Sequence, residues 1–182
     1  MKKTLINSTI CFLVLFSACT EKDSTFLITE NSVGALQKTT PVADLETIFN
    51  YDSIVRDTMN SKIGASTKKI QIFEKGGQPL LLLTPNRDSV QTFENIQVLD
   101  NRYQSEKGIS LNSTFKDIQE AYNFKKVVTT LNSIVVFPKG SNLYFTIDKS
   151  ELPSNLRYTT GKIEAVQIPD AAKIKYLMLG WD

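Results

Sequence analysis

Two stretches of this chain repeat one another, and a repeat constrains a fold more tightly than any single motif. DLETIFNYDSI, from Asp44 to Ile54, returns 73 positions later as DIQEAYNFKKV, from Asp117 to Val127. Leu45 matches Ile118, Phe49 matches Tyr122, Asn50 matches Asn123 and Tyr51 matches Phe124. Each copy precedes a similar run, IQIFEKGGQPLLLL from Ile70 and IVVFPKGSNLYFTI from Ile134, in which Phe73, Lys75 and Gly76 match Phe137, Lys139 and Gly140. Self-similarity of this kind is the mark of one supersecondary unit used twice. The expected architecture is two tandem half-repeats, at about 26–94 and 95–150, with closing strands over 151–182.

Local patterning fills in the unit. Val42, Leu45, Ile48 and Phe49 fall on one face of a helix, and Phe115, Ile118, Ala121 and Tyr122 repeat the arrangement. Thr40 before Pro41 predicts an N-cap with proline at the first helical position, and Ser113 predicts the second cap. Each helix should run about three turns, too short to be stable alone. Phe26 to Ile28 predicts a first strand closing at Gly34. Ile70 to Phe73 and Leu80 to Leu83 predict a hairpin around Lys75-Gly76-Gly77-Gln78, where glycine supplies the positive φ of a tight turn. The four leucines predict a strand covered on both faces. Ile96 to Leu99 predicts the next strand, and Ser133 to Phe137 with Leu143 to Ile147 the repeated hairpin. Ile163 to Ile168 and Ile174 to Leu179 predict the closing pair, turning at Pro169-Asp170. The polar stretch from Arg56 to Lys69 has no counterpart in the second copy and reads as an inserted loop. The predicted fold is α+β: mainly antiparallel β-sheet with two short helices, one domain over 26–182.

The N-terminus carries a different kind of signal. Lys2 and Lys3 precede ICFLVLF, an apolar run far shorter than the roughly 20 residues a membrane span needs. Ser17, Ala18 and Cys19 follow, and the whole resembles a bacterial lipoprotein signal. That resemblance implies a signal peptide over 1–18, lipidation at Cys19 and a tether over 19–25. Thr20, rather than Asp, after the lipidated cysteine implies outer-membrane sorting, with the protein facing the periplasm or the cell surface. Glu21-Lys22-Asp23 resembles the surface-export signal of Bacteroidetes lipoproteins; such a charge run also reads simply as a solvated linker. Removal of the leader leaves nineteen basic residues against nineteen acidic ones, so the expected partners are the membrane, through the anchor, and an envelope protein or glycan, with no nucleic acid. It also leaves no free thiol, so the core alone must stabilise the domain.

Two further stretches resemble a known family. ITENSVGALQKTTP, Ile28 to Pro41, combines an acid, a Val-Gly pair and Thr-Pro before a helix. NIQVLDNRYQSEKGISLNSTFKDI, Asn95 to Ile118, combines a strand ending in Asp100, Lys107-Gly108-Ile109 and a Ser/Thr cap. With FEKGG between them and a Lys-Ile start to the run ending in Trp181, their order is similar to that of the sigma-E-regulated (RpoE-regulated) lipoproteins of enterobacteria. The family is a domain of unknown function, so the resemblance implies a location and a fold.

Chemistry is sparse. There is no histidine, which removes Ser-His-Asp and Cys-His catalysis and the commonest metal ligand. No phosphate-loop or dinucleotide fingerprint is present, and no cofactor or metal is expected. Ser-x-x-Lys occurs at Ser113–Lys116 and Ser66–Lys69, without the companion motifs of penicillin-binding proteins. Asp117 with Glu120, and Asp44 with Glu46, are acids of first helical turns, where the helix dipole favours them. No catalytic residue is assigned. Tyr103, Tyr144, Tyr158, Tyr176 and Trp181 form either a ligand-stacking platform or cross-strand pairs. Ser24, Ser53, Thr58 and Ser89 each follow an aspartate and precede an apolar residue or, at Ser24, a threonine, resembling Bacteroidetes O-glycosylation acceptors; Asp-Ser pairs also favour turns. The expected function is non-enzymatic binding or scaffolding by a lipid-anchored envelope protein. The alternatives are an envelope hydrolase using carboxylates or a Ser-Lys pair, and a small-ligand carrier.

Overall fold

The structure, a computed structural model, describes residues 24–56 and 69–181. The chain begins with three two-residue strands, β1 (Leu27–Ile28), β2 (Ser32–Val33) and β3 (Leu36–Gln37), and reaches a short helix α1 (Leu45–Ile48). Four strands follow: β4 (Ser53–Arg56), β5 (Ile70–Phe73), β6 (Pro79–Pro85) and β7 (Phe93–Val98). After β8 (Gln104–Ser105) comes α2 (Phe115–Ala121), and then β9 (Phe124–Thr129), β10 (Ser133–Pro138), β11 (Leu143–Asp148) and β12 (Ile174–Gly180). This is an α+β fold, dominated by antiparallel sheet and carrying two short helices.

The large sheet has the order β4-β5-β6-β7-β12-β11-β10-β9, all antiparallel. In chain order a helix followed by four strands occurs twice, and β7 pairs with β12 at the centre; β7 runs across the expected boundary at 94/95, and β12 of the expected closing segment joins the same sheet. The sheet has two edges, β4 and β9. The second carries exposed Lys125 and Lys126, a placement that discourages another chain from adding there. A separate small sheet has the order β3-β2-β1-β8, with β1 and β8 parallel.

Register separates the two faces of the large sheet, because successive side chains alternate. On the inner face one row crosses all eight strands: Ile54, Ile72, Leu81, Val98, Leu177, Phe145, Val136 and Val127. The six central members are fully buried. Leu45 and Phe49 of α1, Phe115 and Ile118 of α2, and Ile28, Val33 and Leu36 of the small sheet join the same cluster. The helices and the small sheet thus contribute to one core with the inner face.

Several local expectations change. Thr40 does not cap α1. Its hydroxyl accepts the Gln37 amide at 3.0 Å, closing the turn behind it, and Pro41 sits at the cap of a single 3-10 turn, Val42–Asp44. The Val42 amide goes instead to the Gln91 carbonyl at 2.8 Å, so a distant loop satisfies the donor that a cap would have taken. Both helices are shorter than three turns. For α2 the cap is Thr114 rather than Ser113: Thr114 Oγ1 accepts the Asp117 amide, and Asp117 returns a carboxylate oxygen to the Thr114 amide at 2.6 Å, a reciprocal capping box. Ser113 Oγ accepts the Ser110 amide in the preceding turn.

Leu82 is half-buried and Leu81 and Leu83 fully buried, so β6 is covered on one face along most of its length. Ile163 to Ile168 is not a strand. Ile163 and Ile168 are core residues, but Glu164 and Gln167 bond to each other across a 3-10 turn, Ala165–Gln167, that leaves Val166 exposed. Those local bonds occupy the groups a sheet ladder would need. Residues 57–68 of the inserted loop lie outside the described residues.

Candidate functional site

The Ser113–Lys116 pair of the hydrolase alternative shows no hydrogen bond between its two side chains. Ser113 Oγ is engaged by the Ser110 amide, while the Lys116 ammonium lies 3.8 Å from Glu120, one turn along the exposed side of α2. The adjoining pocket also holds Lys107, whose ammonium donates to the Ala121 carbonyl at 2.8 Å and sits 4.4 Å from the centroid of the Tyr122 ring. Asp117 is held below the ordinary carboxylate range by the Thr114 amide and hydroxyl, as a capping acid should be. Asp44 and Glu46 sit at the start of α1, and Glu46 pairs with Arg56 of β4, which lowers its pKa. Ser66 lies outside the described residues.

The five aromatic residues do not share a platform. Tyr103 is buried edge-on against Phe26, with ring centroids 5.1 Å apart, and burial pushes its hydroxyl pKa up. Trp181 is buried and donates its indole N–H to the Glu30 carbonyl at 3.1 Å, tying the end of β12 to the small sheet. Tyr158 stands on a loop, almost fully exposed. Tyr144 and Tyr176 lie on neighbouring strands, offset by two positions, on the outer face of the large sheet.

That outer face has no helix or second sheet strand among its register partners and stays partly exposed along most of its width. Pairing by register runs Val55, Gln71, Leu82, Gln97, Met178 and Tyr144 from one edge inward. Tyr144 then stacks on Phe137 with centroids 5.5 Å apart and planes inclined at 19°. Lys126, opposite Phe137 in register, holds its ammonium 4.5 Å from that ring. A second row, Tyr176, Thr146, Val135 and Val128, lies beside the first. The Tyr144 hydroxyl bonds to the Asn95 side-chain amide, and burial raises its pKa. Gln71, Leu82, Gln97, Met178, Tyr144 and Phe137 remain partly exposed, whereas their strand neighbours on the inner face are buried. The result is an aromatic patch over β10 to β12 bordered by the Asn95 and Gln97 amides of β7, with Gln71 farther along the row on β5.

Sequence reasoning identified Tyr144 and Tyr176 but missed Phe137, Gln71, Gln97 and Met178. The alternation of β10, with Ile134, Val136 and Pro138 inward, was the available signal; it places Phe137 outward. Among the acceptor candidates, Ser24, Ser53 and Ser89 are exposed, on a leading turn, on edge strand β4 and on the loop before β7. Thr58 and Cys19 lie outside the described residues, as does the whole predicted signal. No group of three or more metal-ligating side chains gathers among the described residues.

No protein-family profile and no curated protein matches this sequence. Among solved structures, the crystal structure of the uncharacterized protein yfeY from Escherichia coli aligns with 84% of this chain and 98% of its own, at 15% sequence identity and a TM-score of 0.52. At that identity the likeness establishes a shared fold, and this chain takes the architecture of the Escherichia coli protein.

Proposed function

We propose that this protein is a lipid-anchored component of the bacterial outer membrane that binds rather than catalyses, with the outer face of its large sheet as the contact surface and an envelope glycan as the partner. The anchoring part rests on the lipoprotein-like leader ending at Cys19, and Ser24, Ser53, Thr58 and Ser89 are its proposed O-glycosylation acceptors. The binding part rests on one observation: the row from Val55 to Lys126 crosses all eight strands on the face away from the core. Its chemistry suits a sugar. The C–H face of a pyranose packs on an aromatic ring, whose own face is electron-rich, and Phe137, Tyr144 and Tyr176 offer such rings. Amides both donate and accept, which matches hydroxyl groups, and Gln97 and Asn95 on β7 border the rings. A rigid sheet presents these groups with no backbone ordering on binding, which leaves only the side chains to be fixed.

The test is retention of the purified full chain on immobilised envelope polysaccharides and peptidoglycan. The wild type should be retained, and the double variant Tyr144→Ala, Tyr176→Ala should elute freely while keeping its circular dichroism spectrum. Equal retention of the two proteins would remove the sheet face from consideration. Retention only by an envelope protein fraction would replace the glycan by a protein partner.

A further inference from the structure

Lys149 is a charged side chain in the wrong place for an ordinary lysine. It is 4% exposed, and among the described residues no carboxylate lies within ion-pairing distance of it. Its ammonium donates to two loop carbonyls, Leu131 at 3.1 Å and Thr159 at 2.7 Å. An ammonium has three donors, so one is left over. Lysine is almost never fully buried unless paired, because removing its charge from water is costly. Carbonyl dipoles offset part of that cost and leave the net charge uncompensated.

Lys149 lines a pocket of about 540 Å³ that is also lined by Arg157 and Lys175. This is the size of a small-molecule site. Arg157 uses only its Nε, on the Leu152 carbonyl at 2.8 Å, which leaves the two terminal nitrogens of its guanidinium fork without a described partner. The single carboxylate in the lining, Asp148, is already engaged: its Oδ2 takes the Lys175 ammonium at 2.6 Å and its Oδ1 takes the Ser150 amide at 2.9 Å. The lining therefore carries three cations and one carboxylate, with a buried, unpaired positive charge among them. Leu131 and Tyr158, also in the lining, are 78% and 91% exposed.

We propose that this pocket binds a phosphate-bearing ligand, with Lys149 as the buried counter-charge and Arg157 as the two-pronged donor. Phosphate is favoured because a guanidinium fork matches two of its oxygens while a third remains for a point-charge ammonium. The ligand anion would supply the partner that the chain withholds from Lys149. This site is formed by the β9–β10 turn, the segment after β11 and Lys175 of β12, and is independent of the sheet-face reading.

The test is calorimetric titration of the full chain with inorganic phosphate, against chloride at equal ionic strength. Saturable binding to phosphate and not to chloride is expected. Lys149→Met, which keeps the apolar stem, should weaken it by about tenfold or more, since hydrogen bonds to charged groups contribute more than a kcal/mol each. Arg157→Gln, at an exposed position, should weaken it in the same direction and serves if Lys149→Met fails to fold. Absence of saturable binding, or binding untouched in Arg157→Gln, overturns the proposal. Monomeric dihexanoyl phosphatidylglycerol separates the sources of the phosphate. Binding of that lipid that falls in Leu131→Ser and Tyr158→Ser, with inorganic phosphate unaffected, supports a lipid headgroup. Binding of inorganic phosphate alone supports a soluble phosphate compound.

Discussion

Arg102 grips Glu74 with both arms: Nη1 and Nη2 each lie 3.0 Å from a different oxygen of the Glu74 carboxylate. Glu74 opens the turn between β5 and β6, and Arg102 follows β7, so the pair locks the end of one hairpin to the next connection. Asp100 accepts from the same guanidinium at 2.8 Å and is itself buried, 3% exposed. Phe26 supports the cation from below, its ring centroid 4.3 Å from the guanidinium carbon.

Removing the cation therefore strands a buried carboxylate. Arg102→Met should lower the melting temperature at pH 7, and more so than Glu74→Gln, because Glu74 can be solvated and Asp100 cannot. The Arg102 hydrogen bonds are the main cause holding Asp100 below its ordinary pKa, and Lys175 likewise holds Asp148 down to about 2. Both acids are stabilising above their unfolded pKa of about 3.9, and that contribution disappears as pH falls through the lower folded values. Wild-type stability should decline between about pH 4 and pH 2; Asp52, whose folded pKa burial raises, acts in the opposite sense but above that window, its protonation favouring the folded state before the unfolded aspartate titrates. The deficit of Arg102→Met should shrink on acidification, since a protonated Asp100 needs no counter-charge. A deficit that is constant from pH 7 to pH 2 in thermal melts would contradict this account.

Leu45 and Ile118 make the next prediction. They are 73 positions apart, each on the short helix that precedes four strands of the large sheet, and each has 0% exposure. Leu45→Ala and Ile118→Ala should each cost roughly 2 to 5 kcal/mol, the range for a buried aliphatic truncated to alanine. Urea denaturation measures both. Similar costs would support equivalent half-repeats, and a near-neutral result at either site would count against them.

The helix caps can be separated by two adjacent substitutions. Thr114→Ala should lose about 1 kcal/mol, because it removes one half of the capping box with Asp117. Ser113→Ala removes only the acceptor of the Ser110 amide and should cost less. A larger loss at Ser113 in the same denaturation series would return the cap to that residue.

The proposed anchor has a direct check. Cys19→Ala should shift the protein from the membrane fraction to an unprocessed or soluble form, and the mass of the mature N-terminus should lose its lipid. Unchanged fractionation and mass would remove the anchor from the proposal.

Much of the sheet was legible because its information is local. Ile70 to Phe73, Ser133 to Phe137 and Leu143 to Ile147 alternate with period two and flank glycine turns, so their strands and hairpins follow from side-chain alternation and turn geometry. Phe115 and Ile118 at helical spacing likewise placed α2. The errors arose wherever a distant group competed with a local one. Thr40 has every property of a cap, yet the Gln91 carbonyl reached the Val42 amide first. Ile163 and Ile168 have the composition of a strand, yet their burial comes from anchoring the two ends of a turn whose polar groups bond internally.

By itself the sequence determined the α+β class, the two short helices, the main hairpins and the absence of any histidine-based chemistry. All of these depend on residue type and spacing over a few turns or strands. Only the tertiary structure decided which face of the large sheet stays open, since that depends on where the helices and small sheet pack. It also decided that Phe137 and Tyr144 stack, because strand register brings them together. And it buried Lys149: a lysine ammonium is ordinarily left in water, and only the closing of the Leu131 and Thr159 loops over it made the site.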